Sequence, residues 1–305
     1  MRNTFADELT ILAKKNKNIV LLVGDIGNKL FDNYKKNKNK FFNCGVAEAN
    51  MNGVASGLAR LNFRPITYTI TPFNTFRCIE QIKIDICYPK LPVIIVGTGS
   101  GLSYSALGAT HHSMEDIAML RSLPNLQIVC PGDPLEVRLS LQEALKSNYP
   151  TYIRLGKKGE PQVHKKIPKF KIGKGITLNK GKDLTIISIG NVLGLANNVR
   201  NKLIKKNLFT NLISLHTIKP LDTMLLKKIF STNKLVVIIE EHSEIGGSGS
   251  AILEWCYKNS TKTNNLLILA GPDKFLSSCG DQKQARKSIG LNEDSIIKKI
   301  SLKIR

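Results

Sequence analysis

Residues 41–61, FFNCGVAEANMNGVASGLARL, carry one acid, Glu48, among small and apolar side chains. Met51, Val54, Ala55 and Leu58 recur at helical spacing and predict an inward-facing stripe. Glu48 lies three residues before Met51 and seven before Ala55, so it projects from that same stripe. A carboxyl there has two uses. It can be a first-turn acid satisfied by the helix dipole, which the spacing alone favours. It can also share a proton with a ligand, because burial disfavours the charged form of a carboxyl.

Further candidates fall at the ends of apolar runs. Asp25 ends IVLLVGD, GTGSG (97–101) follows PVIIV, and Arg154 sits within TYIRLG. GTGSG lacks the full dinucleotide fingerprint, and the sequence has no Walker A run for a triphosphate. GATHHSMED (108–116) places His111 beside His112 ahead of a predicted helix. Adjacent histidines point apart on most backbones, so no shared metal is expected, and Ser113 or Thr110 is the expected helix cap. Phe73 and Phe76, three residues apart, read by themselves as ordinary core.

These groups need a scaffold, and the hydrophobic pattern supplies one. IVLLVGD (19–25), PITYTI (65–70), PVIIVGT (92–98), LQIVCPGD (126–133) and TYIRLG (151–156) read as strands buried on both faces. Helices are predicted between them at 48–61, 74–87 and 134–147, the last opening on Pro134, and the N-terminal eighteen residues form a short amphipathic helix. KKGEPQVHKKIPKFKIGKG (157–175) offers little to bury. Strands resume with LTIISIG (184–190), LISLHTI (212–218), LVVIIEE (235–241) and LLILAG (266–271). The expected fold class is α/β: two mainly parallel sheets flanked by helices, in domains 1–160 and 178–305 with a linker at 161–177, each with its own core. In such sheets function gathers at the carboxyl ends of the strands.

Composition narrows the classes. The 305 residues are 42% hydrophobic, which suits a globular chain, and no apolar run reaches a membrane span. The N-terminus lacks a signal-peptide core, and six scattered cysteines without CxxC spacing point to free thiols in a reducing compartment, the cytoplasm. The formal charge of +22 is spread along the chain, often as Lys beside Asn, without interleaved aromatics. That pattern argues against nucleic acid and leaves a positive field that favours anionic substrates.

FFNCGVAEANMNGVASGLA, GATHHSMEDIAMLRSLPNLQIVCPGDPLEVR, YIRLG, SLHTIKPLD and EEHSEIGGSGS, in this order, together resemble the C-terminal half of transketolase, and most closely the separate C-terminal chain of split transketolases. The resemblance spans nearly the whole chain. It implies a pyrimidine-binding domain followed by a transketolase C-terminal domain. Thiamine diphosphate would be the cofactor, with its diphosphate and Mg2+ held by an N-terminal-like partner chain in an α2β2 assembly. The family's metal-binding GDG motif is absent from this sequence. On this resemblance Glu48 is the cofactor-activating acid: bonded to the aminopyrimidine, it favours the tautomer whose imino nitrogen removes the weakly acidic thiazolium proton. Phe73 and Phe76 match the aromatics around that ring, and Asp25 matches an aspartate near cofactor and dimer interface. His111 matches the histidine that meets substrate oxygens, and Arg154 an arginine that grips a substrate phosphate.

The sequence also departs from the family. A histidine after the strand and an acidic pair before the glycine, which bind sugar hydroxyls, are replaced here by Gly99, Ala106 and Leu107. The implied activity is transfer of a two-carbon ketol unit, or acyloin formation, on a specialised sugar-type substrate. The rivals are a 2-oxo-acid dehydrogenase beta chain and a non-catalytic regulatory subunit.

Overall fold

A computed structural model describes residues 1–27, 29–36, 40–276 and 280–304. In the first half, strands β1 (Ile19–Val23), β2 (Lys40–Asn43), β3 (Arg64–Ile70), β4 (Ile94–Thr98), β5 (Gln127–Val129) and β6 (Thr151–Leu155) alternate with helices. These are α1 (Arg2–Lys15), α2 (Asp32–Lys36), α3 (Glu48–Arg60), α4 (Thr71–Thr75), α5 (Ile79–Gln81), α6 (Asp116–Arg121) and α7 (Pro134–Lys146). The second half holds β7 (Ile176–Asn179), β8 (Leu184–Ile189), β9 (Thr210–Ser214), β10 (Thr217–Lys219), β11 (Val236–Ser243) and β12 (Leu266–Gly271). Its helices are α8 (Leu193–Ile204), α9 (Thr223–Thr232), α10 (Ser248–Lys258), α11 (Gln282–Ser288) and α12 (Glu293–Ile304). The fold is the expected pair of α/β units. β1, β4, β6, β8 and β11 are buried at every residue, as parallel strands covered on both faces must be. No described helix is long and apolar enough to cross a membrane.

The first sheet runs β10-β5-β6-β4-β3-β1-β2 and the second β12-β11-β8-β9-β7. The run LISLHTI, expected as one strand, is divided between them. β9 pairs parallel with β8, then the chain bends at Leu215 and His216 and β10 pairs antiparallel with β5. Lys219, at the end of β10, donates to the carbonyls of Arg121 and Leu123 and so satisfies the C-terminal turn of α6. The second half of the chain therefore closes one edge of the first sheet.

Two local expectations are corrected. The buried face of α3 is Glu48, Met51, Asn52, Ala55, Ser56 and Ala59, and Val54 faces outward. Asn52 can lie inside because it is paired: its Nδ2 donates to Asn74 Oδ1 on α4 at 3.0 Å, and Asn74 Nδ2 in turn to the Val96 carbonyl at 2.9 Å. The predicted helix 74–87 is broken into α4, a 3-10 turn at Phe76–Cys78, α5 and a π-turn at Ile82–Cys87. Side chains bond backbone carbonyls at the first break: Thr75 Oγ1 donates to the Thr71 carbonyl at 2.8 Å, and Cys78 Sγ to the Phe73 carbonyl at 3.2 Å.

Residues 156–175 form a strap with fixed anchors. Asp133 Oδ2 accepts from the backbone of Val163 and His164 and contacts His164 Nδ1 at 3.0 Å. Further along, Phe170 stacks on His216 and Asp222 accepts from the Gly175 backbone. One continuous apolar cluster joins Val20, Ile95 and Tyr152 of the first sheet to Ile187, Ile213 and Ile238 of the second. Each half also has a cluster of its own, Phe5, Leu21, Ile66 and Ile153 in the first and Ile186, Val199, Leu203 and Ile296 in the second, so the expected separate cores are present and a third cluster joins them. Cys44, Cys78, Cys87, Cys130 and Cys256 are free thiols, and Cys279 lies outside the described residues.

Candidate functional site

The carboxyl ends of β1 and β3 meet the head of α3, and that of β4 meets α4. Gly24, just past β1, lets Glu48 lie against the strand ends; a Cβ there would come within 3.1 Å of Glu48 Oε1 and 3.0 Å of Thr69 Oγ1. Glu48 is 1% exposed. Its Oε1 has Thr69 Oγ1 at 3.5 Å, and its Oε2 accepts from Arg77 Nη1 at 2.6 Å. The Arg77 guanidinium also lies over the Phe73 ring, 4.7 Å from its centroid.

Arg77, Phe73, Phe76, Thr110, Met114 and Glu115 wall a cavity of about 520 Å³ that residues 274–276 of the second half close from the other side. His111 stands beside it, edge-on to Phe73 with ring centroids 5.2 Å apart, and Thr110 Oγ1 contacts its Nδ1 at 2.9 Å. Burial, with the neighbouring His112 adding, lowers the His111 pKa below the usual imidazole value and leaves it neutral at pH 7. His112 turns the other way, its Nε2 on the Ser105 carbonyl at 3.0 Å. Burial raises the carboxyl of Glu115. A buried acid beside aromatic faces fits one end of a flat heterocycle, the acid meeting a ring nitrogen and the aromatics a ring face. Among the described residues, no cluster of three His, Cys, Asp or Glu side chains could hold a metal.

Several expectations change. Arg154 is 3% exposed, and its Nε and Nη2 are engaged: they pair with both oxygens of Asp116 at 2.8 and 3.1 Å and donate to the carbonyls of Ser113 and Glu241. It rivets the two halves together and is not among the residues that wall the cavity, so this geometry lends no support to its expected role as a phosphate grip. A cation three residues on was missed. Lys157 is only half-buried, and its Nζ lies 4.3 Å from the centroid of the Tyr104 ring. Burial lowers its pKa, with the charges of Arg2 and Lys158 adding, so three cations gather there. Tyr104 in turn neighbours His111, at 6.0 Å between centroids. The space at Gly99 is the Tyr104 ring's: Gly99 has φ +75°, and any Cβ would overlap that ring. Gly101 likewise admits the Glu241 carboxylate, so the glycines of GTGSG serve close packing.

Asp25, exposed and outside the cavity wall, exchanges hydrogen bonds with Asn43 at 3.0 and 3.1 Å. Neither Ser113 nor Thr110 caps α6, whose N-cap is Glu115 without a side-chain cap bond. The turn 108–112 holds Thr110 too far upstream, while Ser113 pairs by its backbone with Gly101.

The comparisons with known proteins agree over the length of the chain. Residues 1–161 match the transketolase pyrimidine binding domain and residues 173–296 the transketolase C-terminal domain. The chain is 32% identical over 300 residues to one of the subunits of the apulose-4-phosphate transketolase of Phocaeicola vulgatus, covering 97% of this chain and 95% of that one. It is 32% identical over 263 residues to the 6-deoxy-6-sulfo-D-fructose transketolase subunit SqwH of a Clostridium species, covering 85% and 81%. A solved structure described as a split gene transketolase, inactive beta4 tetramer, superposes with TM-score 0.90 at 33% identity over 99% of this chain and 97% of that one. The chain therefore belongs to the transketolase family, as the C-terminal-type subunit of a split, thiamine-diphosphate-dependent, transketolase-like transferase that works with a separate N-terminal subunit.

Proposed function

We propose that this chain supplies the aminopyrimidine half of a cofactor site shared with its partner in an α2β2 assembly. The assembled enzyme would transfer a two-carbon ketol unit between anionic, sugar-type substrates, with Mg2+ held by ligands on the partner. The observation that carries this reading is Glu48, an acid buried at the head of α3 beside the aromatic wall of a cavity. When bound, the cofactor supplies the nucleophilic carbon and the electron sink. Glu48 supplies the acid for the ring nitrogen, while Phe73 and Phe76 offer aromatic faces and exclude water. His111 is neutral at pH 7 and engaged by Thr110 at Nδ1, so Nε2 is the atom that takes or gives a proton at a substrate oxygen. Lys157, with Arg2 and Lys158 behind it, is the group for a substrate phosphate or sulfonate. The relatives named for apulose-4-phosphate and for 6-deoxy-6-sulfo-D-fructose both carry an anionic group in the named sugar, which supports an anionic substrate.

The positions Gly99, Ala106 and Leu107 cannot hydrogen-bond sugar hydroxyls through side chains, and Leu107 is exposed. Xylulose 5-phosphate with ribose 5-phosphate is accordingly a poor pair, and a donor held by different groups turns over faster. Steady-state assays of the reconstituted enzyme on keto sugars, sugar phosphates, sugar sulfonates and pyruvate test this. A best rate with the ordinary pentose phosphates refutes specialisation. Lys157→Ala should raise KM for the preferred anionic substrate about tenfold or more while kcat changes little, as loss of a charged hydrogen bond predicts. An unchanged KM removes Lys157 from substrate binding.

A further inference from the structure

The acid of the site is occupied. Glu48 Oε2 is held by Arg77 at 2.6 Å, a charge-assisted bond, and the same guanidinium lies over Phe73. Arg77 lines the cavity, and Glu48 is joined to the cavity wall through it. A heterocycle that bonds Glu48 at Oε2 and packs on the face of Phe73 over which Arg77 lies must displace the guanidinium. The ring and the arginine therefore compete for that oxygen and that face. The arginine has somewhere to go, because its side chain is 44% exposed while its carboxylate partner is 1% exposed. The segment that carries it is the short 3-10 turn Phe76–Cys78 between breaks in the helical path. A buried carboxylate without a partner is costly, so the free chain gains from the pair, and an incoming ring must replace it.

We propose that Arg77 is a latch on the half-site, pairing with Glu48 in the unloaded chain and swinging out toward solvent when the cofactor takes its place. This rests on the reading of Glu48 as the aminopyrimidine acid. The latch makes Arg77 a positioning residue. It keeps Glu48 compensated and oriented until partner and cofactor arrive, and it lowers apparent cofactor affinity by the fraction of chains latched.

The test is calorimetric titration of thiamine diphosphate, with Mg2+, into this chain reconstituted with its N-terminal-type partner. Arg77→Gln should bind the cofactor about tenfold more tightly than the unsubstituted chain, with Arg77→Lys between them, as expected for a weakened competing contact. In a Glu48→Gln background, Arg77→Gln should change nothing, an outcome that a general structural role for Arg77 would not give. Equal or weaker binding by Arg77→Gln overturns the latch and leaves the cofactor site standing. Should that variant not assemble, Arg77→Lys decides alone, and affinity within about twofold of the parent overturns the latch. Failure of the unsubstituted pair to bind the cofactor overturns the site reading and the latch together.

Discussion

Glu48 and Arg154 show that burial alone does not give a charged residue its role; its partners do. Glu48 is buried yet served by one exposed cation and a distant hydroxyl, so a ligand can exchange with its partner. Glu48→Gln keeps the size and loses the acid. Cofactor should stay bound to the reconstituted pair while turnover falls at least about a hundredfold, the scale of a positioned proton-transfer group. Normal exchange of the thiazolium proton in that variant would take Glu48 out of the mechanism. Arg154 is the opposite case. Burial pushes the Asp116 carboxyl up, but the adjacent guanidinium outweighs it and holds the pKa low. Arg154→Leu strands that carboxylate and should cost about 3–5 kcal/mol of stability in urea unfolding. A variant of parental stability with a raised KM for anionic substrates would return Arg154 to the substrate.

At the scale of the element, the strap 156–175 joins the halves through titratable groups. Burial holds His216 at about 3, and the charge of His164 adds to the lowering. The native chain stays unprotonated there, while the unfolded chain takes up a proton below the ordinary imidazole value of 6.5. Stability from this group is therefore lost as pH falls from 6.5 toward 3, by up to about 1.4 kcal/mol per pH unit. Glu136 acts in the reverse direction, since burial raises it to about 7 and costs stability as pH rises from 4.5. Comparing His216→Phe with the parent isolates the histidine, because a flat ring remains for Phe170 to stack on. The difference in urea stability between the two chains should move in favour of the variant as pH drops from 7 to 5. A pH-independent difference would mean that His216 does not titrate as its burial requires.

At the scale of the whole molecule, the proposed site is shared between two chains: Glu48 and the aromatic wall of the cavity lie on this one. Calorimetric titration should show little heat from thiamine diphosphate with this chain alone, and binding once the N-terminal-type chain is added. Tight binding by the isolated chain would refute the shared site. The core shared between the sheets also makes the second half part of the first one's stability. Lys274, Phe275 and Leu276 close the cavity because Arg154 and the shared apolar cluster fix the halves against each other.

The sequence by itself determined the two α/β units, most strands, the ends of α3 and the transketolase likeness, because these rest on local periodicity and on motifs that keep their order. It also pointed to Glu48, Phe73, Phe76 and His111, which the fold brings together. Pairing between distant residues was decided only in three dimensions. LISLHTI reads as one strand because both its parts are apolar, and nothing local says that His216 marks a change of sheet. Arg154 looks like an anion grip until Asp116, Ser113 and Glu241 are placed around it, and Lys157 looks like one more surface lysine until Tyr104 and Arg2 meet it. Arg77 carries no periodic signal, and its bond to Glu48 spans 29 positions and a broken helix. Local pattern fixes which face a residue takes; the fold alone fixes which charge it faces there.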